Sequence, residues 1–112
     1  MRVEAAAALA AGLTLLAAAC GSSAPAPPPG SVTLTPQERR GKVLFTRHCG
    51  ACHTLADAGT KGIAGPDFDA HPWRAVTVGE SIASGPGVMP AGLLAGPAAD
   101  AVAAYVAAVT RR

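Results

Sequence analysis

The chain has 112 residues, 50% of them apolar, and a formal net charge of +2. That length holds one domain at most, and a nearly neutral balance with no basic run gives no support for nucleic-acid binding. Most of the apolar residues are alanine and only Phe45, Phe68, Trp73 and Tyr105 are aromatic, so side chains alone build a marginal core and something else must help fill the interior.

The first stretch, "MRVEAAAALAAGLTLLAAAC", carries one early arginine and then an uncharged run ending in small side chains at Cys20. This is the form of an export signal, shorter than the roughly 20 apolar residues of a comfortable membrane span. Its ending, Leu16-Ala17-Ala18-Ala19-Cys20, resembles the lipobox of bacterial lipoproteins. That resemblance implies a signal peptide over 1–19 and lipidation of Cys20 as the new N-terminus. A signal cut elsewhere, or an uncleaved anchor, is the alternative. Either way the domain is exported, to the extracytoplasmic face of a bacterial membrane (periplasm or cell-wall space). "GSSAPAPPPGS", residues 21–31, follows, and Pro25, Pro27, Pro28 and Pro29 favour extended polyproline II. At about 3.1 Å per residue it spans roughly 35 Å. Residues 20–31 therefore read as a tether, and the folded domain as 32–112.

The domain opens with "TPQERRGKVLFTRHC", which predicts a helix. Thr35 suits the cap, Pro36 the first helical position, and Glu38, three residues after Thr35, completes a capping box. Gly41, Leu44, Phe45 and His48 fall on one face by their spacing. A weaker helix is predicted from about Trp73 to Ser84, ended by Gly85. The chain closes on "GPAADAVAAYVAAVTRR", a helix with Val102, Tyr105, Val106 and Val109 on one stripe. Arg111 and Arg112 stand where its dipole favours positive charge. No alternating pattern predicts a strand. The reading is all-α, with loops too long for a bare bundle.

"RHCGACHTL", residues 47–55, sets Cys49 and Cys52 beside His53. With Cys20 lipidated, these are the remaining cysteines. A catalytic CxxC pair usually belongs to a thioredoxin-like βαβ context, which is missing here. A zinc site needs a fourth ligand and normally a second close pair, and none follows. CxxCH behind a helix is the attachment signature of c-type haem. Cysteines three apart reach the two vinyl groups on one porphyrin edge, and the adjacent histidine turns its ring to the iron. A chance pair in an alanine-rich chain stands as the competing reading until a further ligand is found.

Met89 is the expected further ligand. Met1 lies in the signal, which leaves Met89 as the methionine of the mature chain, in "SGPGVMPAG". Neither helix nor strand would place a core methionine in such a glycine- and proline-rich stretch. A loop methionine making ordinary contacts is the alternative.

Residues 35–112 resemble a small bacterial class I cytochrome c with one haem. Gly41, Phe45 and Cys49 stand four apart as in that family's N-terminal helix, and Tyr105 in "VAAYV" matches the aromatic on its partner helix. "GPDF", residues 65–68, resembles the family's Gly-Pro loop, and "VMP" at 88–90 its methionine loop. The resemblance implies three to four helices wrapped around one covalently bound haem. It implies thioethers at Cys49 and Cys52, iron ligation by His53 and Met89, and a Pro66 carbonyl that accepts a hydrogen bond from His53. The stretch from Asp67 to Trp73 departs from the pattern. Trp73 is read equally as a partner for a haem propionate or as an ordinary tryptophan. His48 is read as a helix residue beside the haem and His71 as a loop residue. Arg47, Lys61 and Arg74 read as solvated charge.

An iron held by His53 and Met89 has no open position for oxygen or peroxide, and methionine favours the ferrous state. The expected function is single-electron transfer by a lipid-anchored carrier between redox protein partners, with no nucleic acid and no small-molecule substrate. By family analogy these are a quinol-oxidising donor and a terminal oxidase or reductase. A dedicated haem subunit of a dehydrogenase or reductase complex is the alternative, with a haem gas sensor or peroxidase behind it.

Overall fold

The computed structural model describes residues 31–111; the expected signal peptide, Cys20, nearly all of the expected tether and Arg112 lie outside them. Helix α1, Pro36–His48, starts at the expected capping box. The Glu38 N–H donates to Thr35 Oγ1 at 3.2 Å, and the Thr35 N–H donates to Glu38 Oε2 at 2.7 Å. Two donors that every helix start leaves without an intrahelical partner are thereby satisfied.

Helix α2, Ala75–Ser84, ends at Gly85 as expected but begins two residues late. Arg74 is extended, and Trp73 is drawn to the far end of the last helix, where its N–H donates to Thr110 Oγ1 at 3.0 Å. Helix α3, Gly96–Thr110, buries Val102, Tyr105, Val106 and Val109, with Ala101, Ala103 and Ala107 buried beside them. Its alanines explain why: small side chains let both α1 and α2 pack on it. The closest approach is at Gly41, where a Cβ would overlap the Ala101 carbonyl and stand 2.7 Å from Tyr105 Cβ. Arg111 follows α3 and its Nε donates back to the Ala107 carbonyl at 3.2 Å.

Along α1, Gly41, Phe45 and Cys49 are buried and Leu44 is half-buried. His48, on the same face by spacing, is exposed at the end of the helix, where a cavity opens beside it. A short ladder also appears where no strand was predicted. β1, Thr54–Leu55, pairs antiparallel with β2, Thr60–Lys61, placing Thr54 opposite Lys61 and Leu55 opposite Thr60. Two residues per strand are too few to show an alternating pattern. Turns of 3₁₀ helix at Ala56–Ala58 and Phe68–Ala70 fill the rest of the connection. The class remains all-α. Among the described residues, no helix is long and apolar enough to cross a membrane.

Candidate functional site

The motif is wound onto the end of α1. The N–H groups of Cys49 and Gly50 both reach the Phe45 carbonyl, at 2.8 and 3.0 Å, and those of Cys52 and His53 both reach the Cys49 carbonyl, at 3.1 and 3.0 Å. This tight winding brings Cys49, Cys52 and His53 to the wall of a cavity of about 420 Å³, within the roughly 300–1,000 Å³ of small-molecule sites. Met89 lines the same cavity from the segment between α2 and α3, flanked by Val88 and Pro90. Phe45, Phe68, Val78, Ile82 and Val102 supply an apolar lining. Cys49 is buried and Cys52 exposed. Burial, reinforced by the neighbouring Cys52, pushes the Cys49 thiol up to about 11.

His53 is buried, and its Nδ1 lies 2.9 Å from the Pro66 carbonyl oxygen. A carbonyl only accepts, so Nδ1 carries the proton and a neutral ring keeps its lone pair at Nε2. Such a bond fixes the tautomer and raises the basicity of the ligating nitrogen. The loop that carries Pro66 is tied back to the motif by the Gly65 N–H, which donates to the Cys52 carbonyl at 2.8 Å. Gly65 itself lies flat against the imidazole: a Cβ there would run into the ring and stand 2.7 Å from Nδ1.

Phe68 is the residue that sequence reasoning missed. Its ring centroid lies 4.7 Å from that of His53, 5.6 Å from Phe45 and 4.9 Å from Trp73. It joins the imidazole to the aromatic core, although the stretch that holds it had no assigned packing role. The available signal was composition, since a chain this poor in aromatics seldom leaves one idle.

Trp73 lines the cavity, and its Nε1 is the one buried side-chain polar atom without a hydrogen-bond partner among the described residues. A buried donor left unpaired costs about 1–3 kcal/mol. A carboxylate group inside the cavity would remove that cost, and a haem propionate is of this kind. The apolar lining, the two cysteines, the oriented imidazole, the thioether and this orphan donor together fit a covalently held haem. Among the described residues no group of three or more His, Cys, Asp or Glu side chains is arranged to hold a metal ion directly. His48 stands exposed at the rim. His71, also exposed, stacks on Trp73 at 4.3 Å. Arg47, Lys61 and Arg74 are exposed.

Residues 36–106 match the family described as cytochrome c oxidase, cbb3-type, subunit III. The c-type cytochrome SorU from Sinorhizobium meliloti is similar in structure, with a TM-score of 0.62 and 35% identity, covering 66% of this chain and 91% of that one. No curated protein matches the chain. The family match runs from the first turn of α1 through the CxxCH motif and the Met89 segment into α3. The chain therefore belongs to the cytochrome c family of the cbb3-type oxidase subunit III, and is a small monohaem electron-transfer protein with one covalently bound haem c.

Proposed function

We propose that the domain is a single-electron carrier whose haem iron is ligated by His53 and Met89, tethered through a lipidated Cys20 on the extracytoplasmic side of a bacterial membrane. The observation that carries the reading is the convergence of Cys49, Cys52, His53 and Met89 on one cavity. A bound haem supplies a one-electron ferric–ferrous couple. Cys49 and Cys52 would hold the group by thioethers, and His53, oriented by Pro66, would offer Nε2 as an iron ligand. Met89 would offer its thioether as the second ligand, which would favour the reduced state. Phe45, Phe68 and Ile82 keep water from the cavity, and Trp73 offers its N–H to a propionate.

The partners in this reading are a quinol-oxidising donor and a terminal oxidase or reductase. The test is a visible spectrum and redox titration of the purified holoprotein. The reading expects one one-electron transition and a reduced form that carbon monoxide does not attack quickly; rapid attack argues instead for an open iron position and a sensor or peroxidase. The matching family is named for a subunit of an oxidase, and this favours a second reading, a dedicated haem subunit of one redox complex. Stable co-purification with a single partner supports that second reading, and electron exchange with several partners opposes it.

A further inference from the structure

The segment between α2 and α3 leaves α2 and returns to it. At Gly85 the backbone turns left-handed, with φ of +61°, and its N–H closes on the Ser81 carbonyl at 2.9 Å. Farther on, the Gly92 N–H reaches the Ile82 carbonyl at 2.8 Å. Both carbonyls belong to the last turn of α2, where no intrahelical donor is left for them. Residues 85–92 are therefore pinned at both ends to one turn of helix. Met89 lies inside this closed loop, with its N–H 3.2 Å from the Pro86 carbonyl.

The loop has no room for a side chain at its entry. A Cβ on Gly85 would run into the Ala91 nitrogen, and would stand 2.5 Å from the Met89 carbonyl oxygen and 2.6 Å from Ala91 Cα. All three are backbone atoms, so no side-chain rotation relieves the overlap. Gly59 provides the contrast: its φ is +68°, equally left-handed, yet nothing lies within 4 Å of a Cβ placed there.

We infer that Gly85 is a positioning residue for Met89. Its lack of a side chain lets the backbone of Met89–Ala91 cross the end of α2, and that crossing sets where the thioether meets the cavity. The inference rests on the reading of Met89 as the second axial ligand. A methyl group at position 85 displaces the chain that carries Met89. It leaves Cys49, Cys52 and His53 in place, because they are held by α1 and the Pro66 loop.

The test uses full-length holoprotein carrying Gly85→Ala, Gly85→Asn, Gly59→Ala or Met89→Ala. Four readouts are taken: the ferric sulfur-to-iron absorption band, carbon monoxide binding to the reduced form, the midpoint potential and the thermal midpoint. Asparagine tolerates left-handed backbone better than alanine, so Gly85→Asn separates the added Cβ from backbone strain. Both Gly85 variants should lose most of the band, lower the potential and admit carbon monoxide. Gly59→Ala should lower the thermal midpoint with the band intact. Retention of band and potential in both Gly85 variants, while Met89→Ala loses them, overturns the positioning role. So does loss of the band in Gly59→Ala, since general destabilisation then accounts for the effect. A band that survives Met89→Ala overturns the ligand reading itself, and this inference with it.

Discussion

The Tyr105 hydroxyl donates to Asp57 Oδ2 across 2.6 Å, joining α3 to the 3₁₀ turn that follows β1. The same oxygen receives Lys42 Nζ from α1 at 3.1 Å. One carboxylate thus ties three separate elements together on the side of α3 that packs against α1. Tyr105 is fully buried, with its ring 6.0 Å from that of Phe45.

Burial first, then the bond to Asp57 and the negative charges of Asp57 and Asp69, pushes the Tyr105 hydroxyl well above its ordinary value of 10.0. The folded chain holds the phenolic proton more tightly than the unfolded chain. The resulting stability is therefore whole below about pH 10 and is lost as the pH rises beyond it. Denaturant unfolding of the holoprotein should show a decline above that pH, and Tyr105→Phe should flatten it. At neutral pH the variant should cost about 1–2 kcal/mol. Its visible spectrum should not change, because Tyr105 does not line the cavity.

Gly41→Ala places a methyl group into the Ala101 carbonyl. Helix backbones in contact cannot yield as a side chain does, so α1 and α3 must separate. The expected loss is about 1–3 kcal/mol, read as a lower thermal midpoint with haem still attached. An unchanged midpoint would mean that the two helices tolerate a wider spacing.

The parts of this fold that were legible in the sequence are the local ones. Thr35 and Glu38 form their box three residues apart, and the Gly41–Phe45–Cys49 row needs one helix and no other element to be read. The closeness of Cys49, Cys52 and His53 is likewise fixed by one turn of chain. The Pro66 carbonyl, 13 residues from His53, was anticipated by resemblance alone, and the 2.9 Å contact agrees with it. The longer hydrogen bonds left no trace. Asp57 meets Tyr105 from 48 residues away, and Trp73 meets Thr110 from 37. Nothing in the neighbours of these residues marks the pairing, since it depends on how α3 lies across the other elements. Phe68 was hidden for the same reason: its partners come from α1, the motif and the approach to α2.

Cys20→Ser should release the protein into the soluble fraction with an unaltered haem spectrum. In the proposed reading a proline-rich tether separates anchor from domain, so the two should fail independently. Lipoprotein maturation supplies more than one acyl chain, as stable anchoring requires. Membrane association that persists in the variant would point to an uncleaved helix instead.

Electron transfer to the native partner should depend weakly on ionic strength. The chain has two lysines, Lys42 and Lys61, and Lys42 is already engaged by Asp57. At the cavity mouth Val88 is 88% exposed, and Ile63, next to the cavity-lining Ala64, is 93% exposed. An apolar rim gives modest steering and brief contacts. Stopped-flow rates that fall steeply with added salt would contradict this.

The most direct test of the central claim is the ferric spectrum and midpoint potential of Met89→Ala holoprotein, measured against wild type. Cys49 and Cys52 should still hold the haem, and His53 should still be fixed by Pro66. The sulfur-to-iron band should disappear, and the reduced form should bind carbon monoxide quickly. The potential should drop measurably, given that axial ligands tune haem potentials over about 0.8 V. A variant that keeps both the band and the potential would contradict the account, and His48 or His71 would then be the ligand to test.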